Sequence, residues 1–135
     1  MPNTFFFEVH TPYRPFFIGK AQAITLTLTD GEIAVYAKHS PFTAPVISCI
    51  LRIRDDKGKW RSAFITEGIL EVKYQKNVLI VDAAEWPEEI DRDRALAAKQ
   101  KAEESIKASS HNFKIVNAET QLRRAESRLK ACELR

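Results

Sequence analysis

The sequence predicts an α+β protein: an antiparallel β-sandwich over residues 1–86, followed by an antiparallel two-helix hairpin over residues 87–135. Three observations predict it. All four glycines and all six prolines fall at or before Pro87, and the remaining 48 residues contain neither. Apolar residues alternate with polar ones before that point and recur every three or four residues after it. Residues 1–89 carry a formal charge of −1 and residues 90–135 one of +4, so the basic part is the helical part.

Taken in order, Phe5, Phe7 and Val9 alternate with Phe6, Glu8 and His10, a strand closed by the Thr11-Pro12 turn. Phe16-Phe17-Ile18 reads as a short run stopped by Gly19. Ile24, Leu26 and Leu28 take one face of the next strand and Thr25, Thr27 and Thr29 the other, and Asp30-Gly31 turns the chain back into Glu32–Tyr36. Lys38–Pro45 reads as a loop and Val46–Arg54 as one long strand with Arg52 and Arg54 on its outer face. Asp55–Gly58 is a hairpin turn. Trp60–Thr66, Ile69–Tyr74 and Val78–Asp82 complete a set of short strands, with Gln75-Lys76-Asn77 as the last hairpin loop.

Pro87 then supplies a fixed φ at a helix start, and Glu88, Glu89, Asp91 and Asp93 put negative charge on the positive end of the helix dipole. Ala95, Ala98, Ala102 and Ile106 share one face of the first helix. Ser109–Asn112 interrupts the run with capping residues, and Ile115, Ala118, Leu122, Ala125, Leu129 and Cys132 form an a/d seam on the second helix. Alanine lets the helices approach closely but contributes little burial, at roughly 0.8 kcal/mol per CH₂. The hairpin is therefore expected to be marginally stable and able to change partners.

Composition excludes several classes of function. Cys49 and Cys132 have neither zinc-ligand spacing nor a disulfide framework, and the Phe5-Phe6-Phe7 run is too short for a signal sequence. No run approaches the roughly 18 apolar residues of a membrane span, so a cytosolic chain with no direct membrane insertion is expected. Acids interspersed through the basic tail argue against nucleic-acid binding, which favours unbroken positive stripes. His39-Ser40 has no third group to complete a nucleophile and base, and Glu32 and Glu71 read as carboxylates on the solvated face of a sheet.

One constellation remains. Asp91, Arg94, Ala98 and Lys101 follow i, i+3, i+7, i+10 along the first helix, and Arg124 and Arg128 are an i, i+4 pair on the second. A folded hairpin could gather them into a pocket of cations and one carboxylate suited to a polyphosphate. The plainer alternative is an acid in the first helical turn and arginines on a solvated face.

Val9-His10-Thr11-Pro12, Phe17-Ile18-Gly19, Asp30–Val35 leading to His39-Ser40-Pro41, Gly68–Val72, Val81–Glu85 and Ile90–Ala95 together resemble the epsilon subunit of rotary proton-translocating ATP synthases of bacterial type. The resemblance spans nearly the whole chain. It implies a ten-stranded sandwich that binds the gamma subunit and the ring of c subunits, and a hairpin that restrains ATP hydrolysis. That hairpin lies folded beside the sandwich or extends along gamma towards the catalytic alpha and beta subunits. The implied role is noncatalytic, in the central stalk, on the cytoplasmic face of the bacterial plasma membrane.

Some relatives bind ATP in the folded hairpin through an Ile/Leu-Asp-x-x-Arg-Ala motif, which Ile90-Asp91-Arg92-Asp93-Arg94-Ala95 matches. The resemblance thus implies a regulatory ATP site built from Glu85, Ile90, Asp91, Arg94, Ala95, Lys101, Arg124 and Arg128, with ATP as a ligand and no required cofactor. It also implies a rotor-contact loop containing Glu32 and His39. Three positions depart from the pattern: Lys101 stands for an arginine, Lys38 for a glycine before the histidine, and Glu67 for the first of two glycines. The weaker alternatives are a sandwich and coiled-coil scaffold for unrelated partners, and a hydrolase using His39 or Glu71.

Overall fold

The computed structural model describes residues 3–108 and 112–134. Among them are nine strands, β1 Phe5–His10, β2 Pro15–Leu28, β3 Gly31–Tyr36, β4 Phe42–Val46, β5 Cys49–Asp55, β6 Trp60–Ile65, β7 Gly68–Val72, β8 Lys76–Val81 and β9 Ala84–Glu85. A single 3₁₀ turn, Pro87–Glu89, leads into helices α1 Arg92–Ala108 and α2 Asn112–Cys132. The fold class is the one expected, a β-sandwich followed by two helices. Of the expected break at 109–112, residues 109–111 lie outside the described residues and Asn112 opens α2.

The long strand β2 joins the two layers. Its first half pairs antiparallel with β1 and its second half with β3 and β5. β1 continues through β8, β7 and β4, while β5 continues through β6 to β9. Phe7, Val9, Ile24, Leu26, Leu51, Ile53, Leu70 and Leu79 are fully buried between the layers, the arrangement that alternating inward residues produce in stacked sheets.

Several boundaries differ from the sequence reading. Gly19 does not end a strand: β2 runs through it, opposite Phe7. Pro45 lies inside β4 rather than in a loop, and the expected strand 46–54 is divided, with β5 starting at Cys49. β4 pairs along its length with β7 alone and touches β2 only at Val46, so the N–H that Pro45 lacks is not required by a second neighbour. β8 begins at Lys76, which moves the last turn to Lys73–Gln75. One pairing, β1 with β8, is parallel, so the sandwich is mixed.

The helix does not begin at Pro87. The chain makes the 3₁₀ turn, becomes extended at Ile90 and enters α1 with Asp91 as its N-cap: the Arg94 N–H donates to Asp91 Oδ1 at 3.1 Å and the Ala95 N–H to the Asp91 carbonyl at 3.0 Å. The seam of α1 is rotated from the expected one. Ala95 and Ala102 are buried and Ile106 is half-buried, but Ala98 is exposed and Lys99 takes its place. Its methylene stem can cover apolar surface while the ammonium stays in water. In α2 the expected residues Ile115, Ala118, Leu122, Ala125, Leu129 and Cys132 are all buried or half-buried. Lys38, at φ 66°, holds the left-handed conformation that a glycine would adopt more easily.

Candidate functional site

The site with the richest chemistry is the seam between the sandwich and α2. Strand β6 buries Ala63 and Ile65 in the sandwich core, which turns Phe64 outward. Phe64 is nevertheless fully buried, because Ile90 and Ala131 pack on it together with Ile50 and Cys132. Ile50 and Phe64 are cross-strand partners, so a small apolar platform on the outer face of the sheet receives the C-terminal part of α2. The apolar runs Cys49-Ile50-Leu51 and Ala63-Phe64-Ile65 break the alternation of a half-exposed sheet. These runs are the sequence signal that this face of the sheet is covered.

Two arginine clasps flank the platform. Arg128 donates from Nε to Glu85 Oε1 at 3.1 Å and from Nη2 to Oε2 at 3.3 Å, while its guanidinium lies 4.6 Å from the centre of the Phe64 ring. Arg124 donates from Nε to Glu67 Oε1 at 2.8 Å and from Nη2 to Asp82 Oδ2 at 3.3 Å. The sandwich thus supplies three carboxylates to two guanidiniums. Glu85 and Arg128, both expected in the site, are together. Glu67 and Asp82 were not expected, and their separations of 57 and 42 positions from Arg124 leave no local pattern to find them by.

The remaining expected residues are dispersed. Ile90 belongs to the apolar platform, and Ala95 is buried in the face that α1 turns inward. Asp91 caps α1, a role typically worth about 1 kcal/mol. Arg94 and Lys101 are exposed, and among the described residues no hydrogen bond or ion pair joins Asp91, Arg94 or Lys101 to Arg124 or Arg128. A cleft of about 430 Å³ opens on the other side of α2, between Glu32, Ser48, Cys49, Arg52, Arg123 and Lys130; it contains none of the expected ATP residues. Burial pushes the Cys49 thiol above its ordinary pKa.

The expected rotor-contact residues do not share one loop. Glu32 is the second residue of β3, paired with Thr27, and His39 follows the strand's other end, so most of a strand roughly 20 Å long lies between them at about 3.3 Å per residue. His39 Nδ1 is 2.7 Å from the Ser40 carbonyl oxygen, and its ring packs 5.1 Å from Phe42.

The join is fixed by aromatic stacking. Trp86 stacks on Phe16 at 4.5 Å, the Arg61 guanidinium lies 4.0 Å from its ring centre, and Arg14 pairs with Glu89 at 3.1 Å. The chain is therefore held to the sandwich through Glu89.

Comparison with known proteins accounts for both parts of this architecture. The ATP synthase delta/epsilon chain beta-sandwich domain matches residues 4–87, and the long alpha-helix domain of the same chain matches residues 88–133. This chain belongs to the ATP synthase delta/epsilon family. Similar members of the family include the ATP synthase epsilon chain of Ruminiclostridium cellulolyticum, 44% identical over 98% of each chain. Another is that of Caldanaerobacter subterraneus, 43% identical over 96% of this chain and 94% of the relative. The epsilon-family fold recurs in a chain of the Euglena gracilis mitochondrial ATP synthase, with a TM-score of 0.83 at 20% identity over 100% of this chain and 84% of that one. It recurs again in the central stalk and c-ring structure of the Tetrahymena thermophila mitochondrial enzyme, with a TM-score of 0.66 at 18% identity over 96% and 97%. Delta/epsilon chains are noncatalytic parts of an enzyme complex, and among the described residues no helix is long and apolar enough to cross a membrane.

Proposed function

We propose that this protein is a rotor subunit in the central stalk of a bacterial ATP synthase. It couples proton translocation to ATP synthesis and restrains ATP hydrolysis through α1 and α2. The observation that carries this reading is the way the helices are held: a platform of five side chains and two part-exposed arginine clasps, beside a sandwich whose own core, among the described residues, draws on none beyond Trp86. Such a seam can open without unfolding the body.

A second feature supports the assembly. Ile18, Ile69 and Ile80 stand more than half exposed on the outer face of β2, β7 and β8, with Ile69 and Ile80 directly paired. An apolar face of this kind suits a permanent partner, and gamma is the partner the family resemblance implies. The c ring would meet the ends of the sandwich, and the alpha and beta subunits would meet the helices when extended. The subunit would then sit peripherally on the cytoplasmic face of the membrane. In a reconstituted synthase, a chain ending at Glu89 should support assembly and release ATP hydrolysis several-fold relative to the full chain. Unchanged hydrolysis would sink the inhibitory role.

ATP is the regulatory ligand in this reading. The exposed Arg94 and the paired Arg124 and Arg128 can supply cations once the clasps rearrange, and Asp91 or Glu85 can accept from a ribose or base. Binding only to the docked hairpin, ATP at 100 times its Kd would favour that state by roughly 2.7 kcal/mol. Calorimetric titration of the full chain should give binding that weakens at least tenfold in Arg94→Ala. The same affinity in both proteins would remove Arg94 from the ligand site.

A further inference from the structure

We propose that Glu67 is a tethered stand-in for a ligand phosphate: a carboxylate that occupies Arg124 and latches the helical hairpin to the sandwich without nucleotide. The inference deepens the regulatory reading above, and rests on it only for what ATP does to the latch.

The geometry is that of a prepared acceptor. Glu67 Oε1 and Oε2 lie 2.8 and 3.4 Å from Arg124 Nε, and Asp82 Oδ2 lies 3.3 Å from Nη2, so two of the three nitrogens of the guanidinium are engaged by the sandwich. The Glu67 and Arg124 side chains are 35% and 24% exposed, whereas Asp82 is 74% exposed, which makes Glu67 the better-sheltered acid of the two. Water and salt screen its contact less.

The backbone on either side of Glu67 is fixed. Thr66 is fully buried and bonded to Ala83 in both directions: its N–H donates to the Ala83 carbonyl at 3.0 Å, and its hydroxyl accepts from the Ala83 N–H at 2.9 Å. Gly68 is pressed against the Ile80 carbonyl so closely that a Cβ would overlap it. The carboxylate therefore projects from a corner that cannot easily yield. Little ordering is lost when Arg124 docks, as preorganised sites require. A glycine at position 67 would offer no side-chain acceptor.

Charge points the same way. Glu67, Asp82 and Glu85 against Arg124 and Arg128 leave the clasps with one carboxylate in excess. A polyphosphate arriving here meets guanidiniums whose Nε and Nη2 are already engaged by an excess of carboxylates. It has to displace Glu67 before it can use the Nε of Arg124.

Amide hydrogen exchange of the full chain tests this. Without nucleotide, Glu67→Gln should raise exchange in α2 residues 118–132 about tenfold and leave strands β5 to β8 at wild-type protection. Arg124→Gln, which also loses the Asp82 contact, should loosen α2 at least as much, and the double variant should be no looser than Arg124→Gln alone. Unchanged α2 exchange in Arg124→Gln, or in a Glu67→Gln protein with a protected sandwich, would overturn the latch. Adding ATP to Glu67→Gln should restore α2 protection. Loosening that ATP fails to reverse would keep the latch and reject ATP as its replacement.

Discussion

Gly68→Ala should destabilise the sandwich by about 3 kcal/mol or more, the upper range for forcing atoms into a packed interior. The added Cβ would overlap the Ile80 carbonyl oxygen and come within 2.7 Å of Val81 Cγ1. Backbone is the obstacle, so no side-chain rotation relieves it. Gly68 opens β7 opposite Val81 and also ends the β4 pairing at Val46, and a shift there disturbs β4, β7 and β8 together. Urea denaturation followed by Trp fluorescence would show a lowered midpoint. A midpoint within experimental error of wild type would mean that the β7–β8 ladder has slack the coordinates do not suggest.

Phe64→Ala should have the second largest effect, and on a different part of the molecule. Truncating a buried phenylalanine typically costs 3–5 kcal/mol. Phe64 faces away from the sandwich core, so most of that loss falls on the contact with Ile90 and Ala131 and on the ring beneath Arg128. A marginal seam cannot absorb it. The helices should separate from the sandwich while the strands remain folded. Trypsin should then cut after Arg94, Lys99 or Lys101 in minutes, leaving a resistant fragment of roughly the first 90 residues. Wild-type resistance in the helices would show that α2 is held by something other than this platform.

The fold was legible wherever a local pattern controls it. Alternation in Phe5–His10 and Ala23–Leu28 and the 3-4 spacing from Ile115 to Cys132 each report which face is buried, because side-chain direction follows backbone geometry. Punctuation by Gly and Pro was a poorer guide. Gly19 and Pro45 both lie within strands, one at a position where β2 has only β1 beside it and the other where β4 needs few N–H donors. The parallel pairing of β1 and β8 left no trace, since alternation is the same in either direction.

The candidate site was legible only in part. Glu85 and Arg128, each named as a ligand residue, instead pair with one another, and the partners of Arg124 are Glu67 and Asp82, brought together by the closing of the sandwich. Asp91 illustrates the ambiguity of a short motif: an acid three positions before Arg94 serves helix capping as readily as ligand binding, and in this structure it caps. Lys99 replaces Ala98 in the seam because a difference of one position separates two stripes that alanines alone do not distinguish.

The order of the helices has a mechanical meaning. The segment covalently tied to the sandwich, α1, lies against α2, while α2, which the chain reaches only through α1, is the one that touches β5 and β6. Release is therefore decided at α2, and α1 is carried away with it as a passenger. A partner seeking to hold the protein closed has most leverage at Arg128 and Ala131, and one seeking to free it need only grip the final two turns.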